Sequence, residues 1–160
     1  MSLEERRLLN PAFASALVIR AVYGFTKETR SGLPFVYAYL VLPLLLHPDT
    51  RERLPQTVVT KLVTWTERNG DVVAPVPQRV RELAPATRES LLLASIAGLI
   101  DLDRTAEIQP VLAERELVRF ERSSASPEIT ACMRKAYFLG RWLATAGTVP
   151  TVMTALGVQL

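Results

Sequence analysis

The most restrictive feature of the sequence is a stretch of fourteen residues, Leu33 to Leu46, that contains no charged side chain. It is apolar on every side of a helix, which in a soluble protein is typical of a central, fully buried helix. Pro34 fits the first turn of such a helix, and Pro43 is expected to kink or end it. A membrane span needs about 20 residues, so this stretch is too short to cross a bilayer. It therefore predicts a helical core.

The composition is that of one folded domain. The chain has 160 residues, of which 49% are hydrophobic, and a net charge of only +3, which excludes a disordered chain. Cys132 is the only cysteine, so no disulfide can form within the chain. The first seven residues include two acids and lack the basic-then-apolar order of a signal peptide. We predict a single domain, residues 1–160, in a soluble cytoplasmic protein.

The N-terminal helical part is predicted to span residues 10–56. Asn10 suits a helix cap and Pro11 a first helical position, so a helix is expected over residues 12–30. Arg20 interrupts the apolar face of this helix. Its charge is therefore expected either to extend to the solvent or to meet an acid.

A winged helix-turn-helix-like part is predicted at residues 57–112. Helices are expected at Val58–Arg68, at Pro77–Leu83 and from Pro85 to about Gly98, the last with Leu92, Ile96 and Leu99 on its inner face. Apolar and polar residues then alternate over residues 99–103 and 106–109, which indicates two short strands. The predicted fold class is thus mainly α, one compact helical domain containing a winged helix-turn-helix-like unit with a short β-ribbon.

The C-terminal helices are predicted to pack back on the rest of the domain over residues 127–157. A long helix is expected from Pro127 to Ala146, followed by a short one from Thr148 to Leu156. Between the ribbon and these helices, Pro110–Arg122 fits a helix and a strand equally well.

The residues argue against catalysis. Nucleophilic catalysis by cysteine usually needs a histidine base, and the sequence has one histidine, His47, and one cysteine, Cys132, which is expected on an inward helix face. A zinc site needs three or four His, Cys or carboxylate ligands, and one histidine and one cysteine cannot complete it. Each glycine is isolated, so no phosphate-binding loop is present. Asp101 and Asp103 alternate on one strand and are better explained as solvated acids. We predict no enzyme activity, no cofactor and no metal.

The charge pattern does not favour specific nucleic-acid binding. Nineteen basic residues face sixteen acids, and the two signs alternate along the chain, although the sequence pI is about 9.3. The predicted recognition helix offers Arg88, Glu89 and Ser90 in its first turn and then becomes apolar. A winged helix kept as a scaffold for a protein partner is the preferred interpretation, and a DNA-binding winged-helix regulator is the alternative.

Motifs distributed over nearly the whole chain resemble the middle component of bacterial three-component ABC (ABC-3C) systems. The resemblance rests on their order rather than on a catalytic signature. They are Leu9-Asn10-Pro11-Ala12-Phe13, Leu40 through His47, Arg51 with Leu54-Pro55, Leu139-Gly140-Arg141-Trp142, and Thr151 through Val158.

The resemblance implies a small, non-catalytic adaptor that links an ABC-type ATPase to an effector component encoded nearby, in a bacterial conflict or antiphage defence system. It implies no active-site residues. Six of the matched positions are therefore candidates for an interface: Asn10, Phe13, His47, Arg51, Arg141 and Trp142.

Leu91 and Trp142 are also candidates for a homodimer seam. Trp142 suits either the core or an interface hot spot, and Gly140 before it would allow a close approach of two helices. Leu91→Arg and Trp142→Ala are expected to disrupt assembly, on the condition that both side chains are exposed in the free subunit.

Overall fold

The computed structural model describes residues 10–111, 113–123 and 126–159. Helix α1, Pro11–Thr29, begins as predicted, because the Asn10 side chain accepts a hydrogen bond from the Ala12 amide (3.0 Å) and Pro11 occupies the first turn. It ends where Arg30 adopts a left-handed conformation (φ 58°) and donates its N–H to the Thr26 carbonyl. Residues 13–25 of α1 are buried, so α1 runs through the core.

The apolar stretch is buried as predicted, but it is not one helix. It forms strand β1 (Leu33–Pro34), a short 3-10 helix (Phe35–Tyr37) and helix α2 (Ala38–Leu45), with Pro43 inside α2. The expected helix start at Pro34 is wrong. A proline disfavours helical geometry in the residue before it, which is Leu33, and Leu33 instead pairs with Ile108 of a distant strand.

Four helices follow α2. They are α3 (Pro48–Glu52), α4 (Leu62–Arg68), α5 (Gly70–Val73) and the long α6 (Val76–Ile96). The prediction of two helices separated before Pro85 is wrong, since α6 continues through this proline. Pro85 lies on the exposed side of α6, where water can hydrate the carbonyl that the proline leaves without a donor.

The predicted inner face of α6 is also wrong. Leu92 and Ile96 are 62% and 76% exposed, and Leu99 is only partly buried. The side chains that α6 buries are smaller on average, and the Ser15 hydroxyl of α1 donates to the Ser90 carbonyl at 2.9 Å. Small residues let α6 and α1 approach closely. The residues buried near the end of α6 are Thr87, Ser90, Leu91 and Ala94.

The two predicted strands are present as β2 (Ile100–Leu102) and β3 (Glu107–Pro110), paired antiparallel. They are not a two-stranded ribbon, because β1 pairs with the other side of β3 and the order in the described sheet is β1-β3-β2. The fold is thus mainly helical with a small antiparallel sheet, and its interpretation as a winged helix-turn-helix stays a prediction.

Asp103 organises the turn between β2 and β3. Its carboxylate accepts hydrogen bonds from the Thr105 hydroxyl (2.6 Å), the Gln109 side chain (3.1 Å) and the Thr105 and Glu107 amides (2.9 and 3.0 Å). The bonds from the Thr105 and Gln109 side chains are the main reason why the Asp103 pKa falls to about 2.

We expect this turn to make stability depend on acid pH. A carboxylate whose pKa falls from 3.8 to about 2 on folding stabilises the fold above pH 4, and loses that effect as the pH falls towards 2. Asp103→Asn should lower the melting temperature at pH 4.5. It should also reduce the difference in melting temperature between pH 4.5 and pH 2.5. The control Asp101→Asn changes the neighbouring carboxylate and leaves the turn intact. An unchanged difference in Asp103→Asn would contradict this prediction.

Three helices complete the chain. They are α7 (Glu114–Ser123), which settles the segment that fitted helix and strand equally, α8 (Pro127–Thr145) and α9 (Val149–Ala155), both close to their predicted positions. Helix α8 packs along α1. They cross at Gly24 and Gly140, where a Cβ on either glycine would overlap a backbone carbonyl of the other helix. Gly140 thus allows a close approach of two helices as predicted, but within the chain and not at an interface.

Candidate functional site

The six interface candidates do not form one surface. Three of them, Phe13, Arg51 and Trp142, are buried within the chain. Asn10 is exposed at the start of α1, whereas Arg141 lies at the other end of that helix, where its Nε donates to the Glu28 carboxylate at 2.6 Å. His47 is half-buried and precedes α3 as its N-cap residue. Their role in an interface stays a prediction.

Arg51 joins two helices from within the core. Its guanidinium donates to the Leu45 carbonyl at the end of α2 (2.7 Å) and reaches the Glu128 carboxylate at the start of α8 (3.5 Å). The bond to Leu45 satisfies a carbonyl that the helix end leaves without an internal partner. Burial raises the pKa of the nearby Cys132 thiol, more strongly than Arg51 lowers it. The thiol is therefore protonated and shielded near neutral pH.

Trp142 anchors a loop to α8. Its ring is only 1% exposed, its Nε1 donates to the Thr60 carbonyl (2.7 Å), and it meets Trp65 edge to face at 5.3 Å between centroids. Trp65 in turn donates to the Arg53 carbonyl at 2.7 Å. Leu91 is also buried. The condition attached to the predicted dimer seam, exposure of Leu91 and Trp142 in the free subunit, is therefore not met.

Arg20 meets an acid, which was one of its two predicted outcomes. Its guanidinium lies 3.5 Å from the Glu114 carboxylate of α7 and 5.0 Å from the centroid of the Tyr137 ring of α8. This arrangement keeps the buried arginine charge compensated between three helices.

Most of the exposed large hydrophobic side chains of the described residues lie in two regions that the sequence analysis missed, the end of α6 and the start of α4, and Leu102 lies on β2. The first group, which we call the α6 end patch, consists of Leu92, Leu93 and Ile96 on the last turns of α6. Val111 is exposed as well, and its amide donates to the carbonyl of Leu99, just after α6 (2.9 Å). The available signal was the run Ser90 to Ile96, which holds more apolar residues than one helix face can bury.

The second group is Val59 and Val63, which are 83% and 47% exposed. Val63 lines a groove between α4 and α9, which we call the α4–α9 groove, whereas Val59 lies in the turn before α4 and outside that lining. The groove has a volume of about 560 Å³, and Val63 and Glu67 face Pro150, Thr151 and Thr154 across it. Its two walls come from helices that are distant in sequence.

The two surfaces lie towards opposite ends of α6. Gly157, just after α9, is close to Pro77 near the start of α6, since a Cβ on Gly157 would lie 3.3 Å from the Pro77 ring. The helix rises about 28 Å from Pro77 to Ile96 at 1.5 Å per residue. One chain therefore presents two separate apolar surfaces.

The described residues show neither a metal-ligand cluster nor a membrane-spanning helix. Among them, no group of three or more His, Cys, Asp or Glu side chains is arranged to hold a metal ion. Within the same ranges, no helix has both the length and the apolar character needed to cross a bilayer.

Comparison with known proteins identifies the family. The searches of curated proteins and of solved structures each find no match. The sequence does match a family model, described as ABC-three component (ABC-3C) system Middle Component 3, over residues 1–160. Because the match covers the whole chain, the protein belongs to the middle component 3 family of ABC-3C systems.

Proposed function

We propose that this middle component is a non-catalytic adaptor that binds an ABC-type ATPase and an effector component of its own system in bacterial antiphage defence. The observation that carries the proposal is the family match over the full chain, since a middle component has partners within a three-component system. The exposed apolar wall of the α4–α9 groove supports it, because an adaptor needs a surface that a partner can cover.

The α4–α9 groove suits a helical segment of a partner. Val63 and Pro150 supply apolar contacts, and Thr151 and Thr154 supply hydroxyls at the edge. An amphipathic helix in such a groove buries its apolar face and leaves its polar face in water. Glu67 at the rim favours a basic residue on that helix.

The titratable groups support a non-catalytic role. The Cys132 thiol is buried and its pKa is raised, so it is a poor nucleophile. The buried Arg51 is engaged by a carbonyl and a carboxylate of its own chain. These groups are used in holding helices together.

A DNA-binding winged helix is the alternative function. The strand order β1-β3-β2 and the passage from α6 into the β2–β3 hairpin support a winged-helix architecture. However, α6 exposes Leu92 and Ile96 where a recognition helix would present polar groups to the bases. Salt-sensitive binding of duplex DNA by the purified protein would favour this alternative.

Co-expression with the adjacent genes tests the adaptor proposal. We expect the ATPase or the effector component to co-elute with the wild-type chain in size-exclusion chromatography. Val63→Glu should weaken that complex at least roughly tenfold, because it places a charge in a dry contact. The control Lys61→Glu adds an acid at the exposed start of the same helix, outside the groove, and should leave the complex intact.

Two results would contradict parts of this proposal. If the wild-type chain co-elutes with neither the ATPase nor the effector component, the adaptor proposal is wrong. Co-elution that survives Val63→Glu would keep the adaptor function and exclude the α4–α9 groove as its site.

A further inference from the structure

We infer that the α6 end patch is the interface of a symmetric homodimer, in which α6 of one copy packs against α6 of a second copy. The inference concerns a different surface from the α4–α9 groove, and it does not depend on the adaptor function.

The patch is a distinct surface of α6. The earlier part of the exposed side of this helix is polar and carries Gln78, Arg81, Glu82, Arg88 and Glu89. The same side becomes apolar at Leu92 and Ile96, which are four residues apart and therefore neighbours on the helix surface. The core-facing residues of this segment, Leu91 and Ala94, lie on the other side.

The charges around the patch are not strongly of one sign. The exposed charged residues closest to it along the chain are Arg88 and Glu89 on α6 and Asp101 on β2. One positive and two negative charges do not select a strongly acidic or a strongly basic partner. A second copy brings the same set, and a two-fold axis can place unlike charges opposite each other.

The two copies of α6 pair in an antiparallel arrangement. In an antiparallel pair with the axis between Leu92 and Ile96, Leu92 of one copy packs on Ile96 of the other. Arg88, one turn before Leu92, then points towards the region just beyond the end of the second α6. That region contains Asp101, so the axis creates two Arg88–Asp101 pairs at the rim.

The neighbouring sheet edge is less suitable as the seam than the helix face. Strand β2 is an outer strand of the described sheet, and its middle residue is Asp101. Two copies of β2 paired about a two-fold axis at this residue would bring the two Asp101 carboxylates face to face, and like charges directly opposite are destabilising. The helix face is therefore the better interface.

Light scattering coupled to size-exclusion chromatography tests the inference on the purified wild-type chain. We expect twice the monomer mass at micromolar concentration. Ile96→Glu and, separately, Leu92→Glu should each raise the dissociation constant at least roughly thirtyfold, as expected for loss of a central contact. Both side chains are exposed, so the variants should fold, which circular dichroism checks. The control Val59→Glu changes an exposed apolar residue outside the α6 end patch and should remain dimeric.

A charge exchange tests the symmetry. Arg88→Glu and Asp101→Arg should each weaken the dimer several-fold, and the double variant should recover most of the affinity, because the pair is re-formed with reversed signs.

A monomeric wild-type chain, or a dimer that is unaffected by both Ile96→Glu and Leu92→Glu, would overturn the inference. A monomeric chain whose binding to the ATPase or effector is lost in Ile96→Glu would overturn it and assign the patch to that partner. Loss of co-elution in Val63→Glu with an intact dimer concerns only the adaptor proposal.

Discussion

Gly140→Ala is expected to lower the free energy of unfolding by about 3 kcal/mol, near the upper end of the cost of overpacking a core. The added Cβ would overlap the Ala21 carbonyl oxygen and would lie 2.8 Å from the Ala21 carbonyl carbon and 2.9 Å from the Phe25 nitrogen. All three atoms belong to the backbone of α1. Helices α1 and α8 would therefore have to move apart at their closest point, and no side chain can rotate away instead.

Urea unfolding of the wild-type chain and four variants measures this effect. Gly70→Ala is the matched control, because a Cβ at Gly70 meets nothing within 4 Å, and its effect should stay below about 1 kcal/mol. Gly24→Ala should resemble Gly140→Ala, since its Cβ would overlap the Tyr137 carbonyl. The double variant should cost less than the sum, because one separation of the helices relieves both overlaps. Equal stability of Gly140→Ala and the wild type would contradict the close crossing of α1 and α8 at Gly140.

The helix ends could be predicted because their signals are local. Asn10 and Pro11 start α1, Pro127 starts α8, and Thr148 caps α9 through a hydrogen bond from the Thr151 amide. Each signal involves residues that are close in sequence. Strand β1 could not be predicted in this way, because Leu33 becomes a strand residue only by pairing with Ile108.

The orientation of α6 shows a second limit. The run from Ser90 to Ile96 has apolar residues on more than one side, so its period is compatible with an inner face at Leu92 and Ile96 or at Leu91 and Ala94. The structure selects the second face because Ser90 and Ala94 are small enough to let α6 approach α1. That selection depends on the partner helix. It is also what leaves the α6 end patch exposed.

The candidate site was predicted least well, for a related reason. The matched motif positions Phe13, Arg51 and Trp142 are buried in the core, where they hold elements together. A motif shared by a family identifies positions that matter, but it does not separate packing from binding. The α4–α9 groove needs Val63 and Pro150 on two helices far apart in sequence, so only the fold brings its walls together.

Trp142→Ala is expected to have an effect at least as large as Gly140→Ala, with a loss of about 3–5 kcal/mol of unfolding free energy. The substitution removes a buried ring that meets Trp65 edge to face and stacks near Phe138 at 6.2 Å between centroids. It also removes the only indole donor to the Thr60 carbonyl among the described contacts. Urea unfolding gives the total, and the exposed control Val59→Ala should stay within about 0.5 kcal/mol of the wild type.

Trp142→Phe separates the ring from its hydrogen bond. Phenylalanine keeps an aromatic ring at this position but cannot donate to the Thr60 carbonyl, so its cost should be about 1–3 kcal/mol, that of an acceptor left without its donor. Hydrogen exchange should then rise in residues 53–60, which the two tryptophans hold at the Arg53 and Thr60 carbonyls, and less in α1. A Trp142→Ala variant that is as stable as the wild type but does not bind the ATPase or the effector component would instead show that Trp142 acts in an interface and not in the core. A loss of stability with binding retained at low temperature confirms that the tryptophan acts through packing.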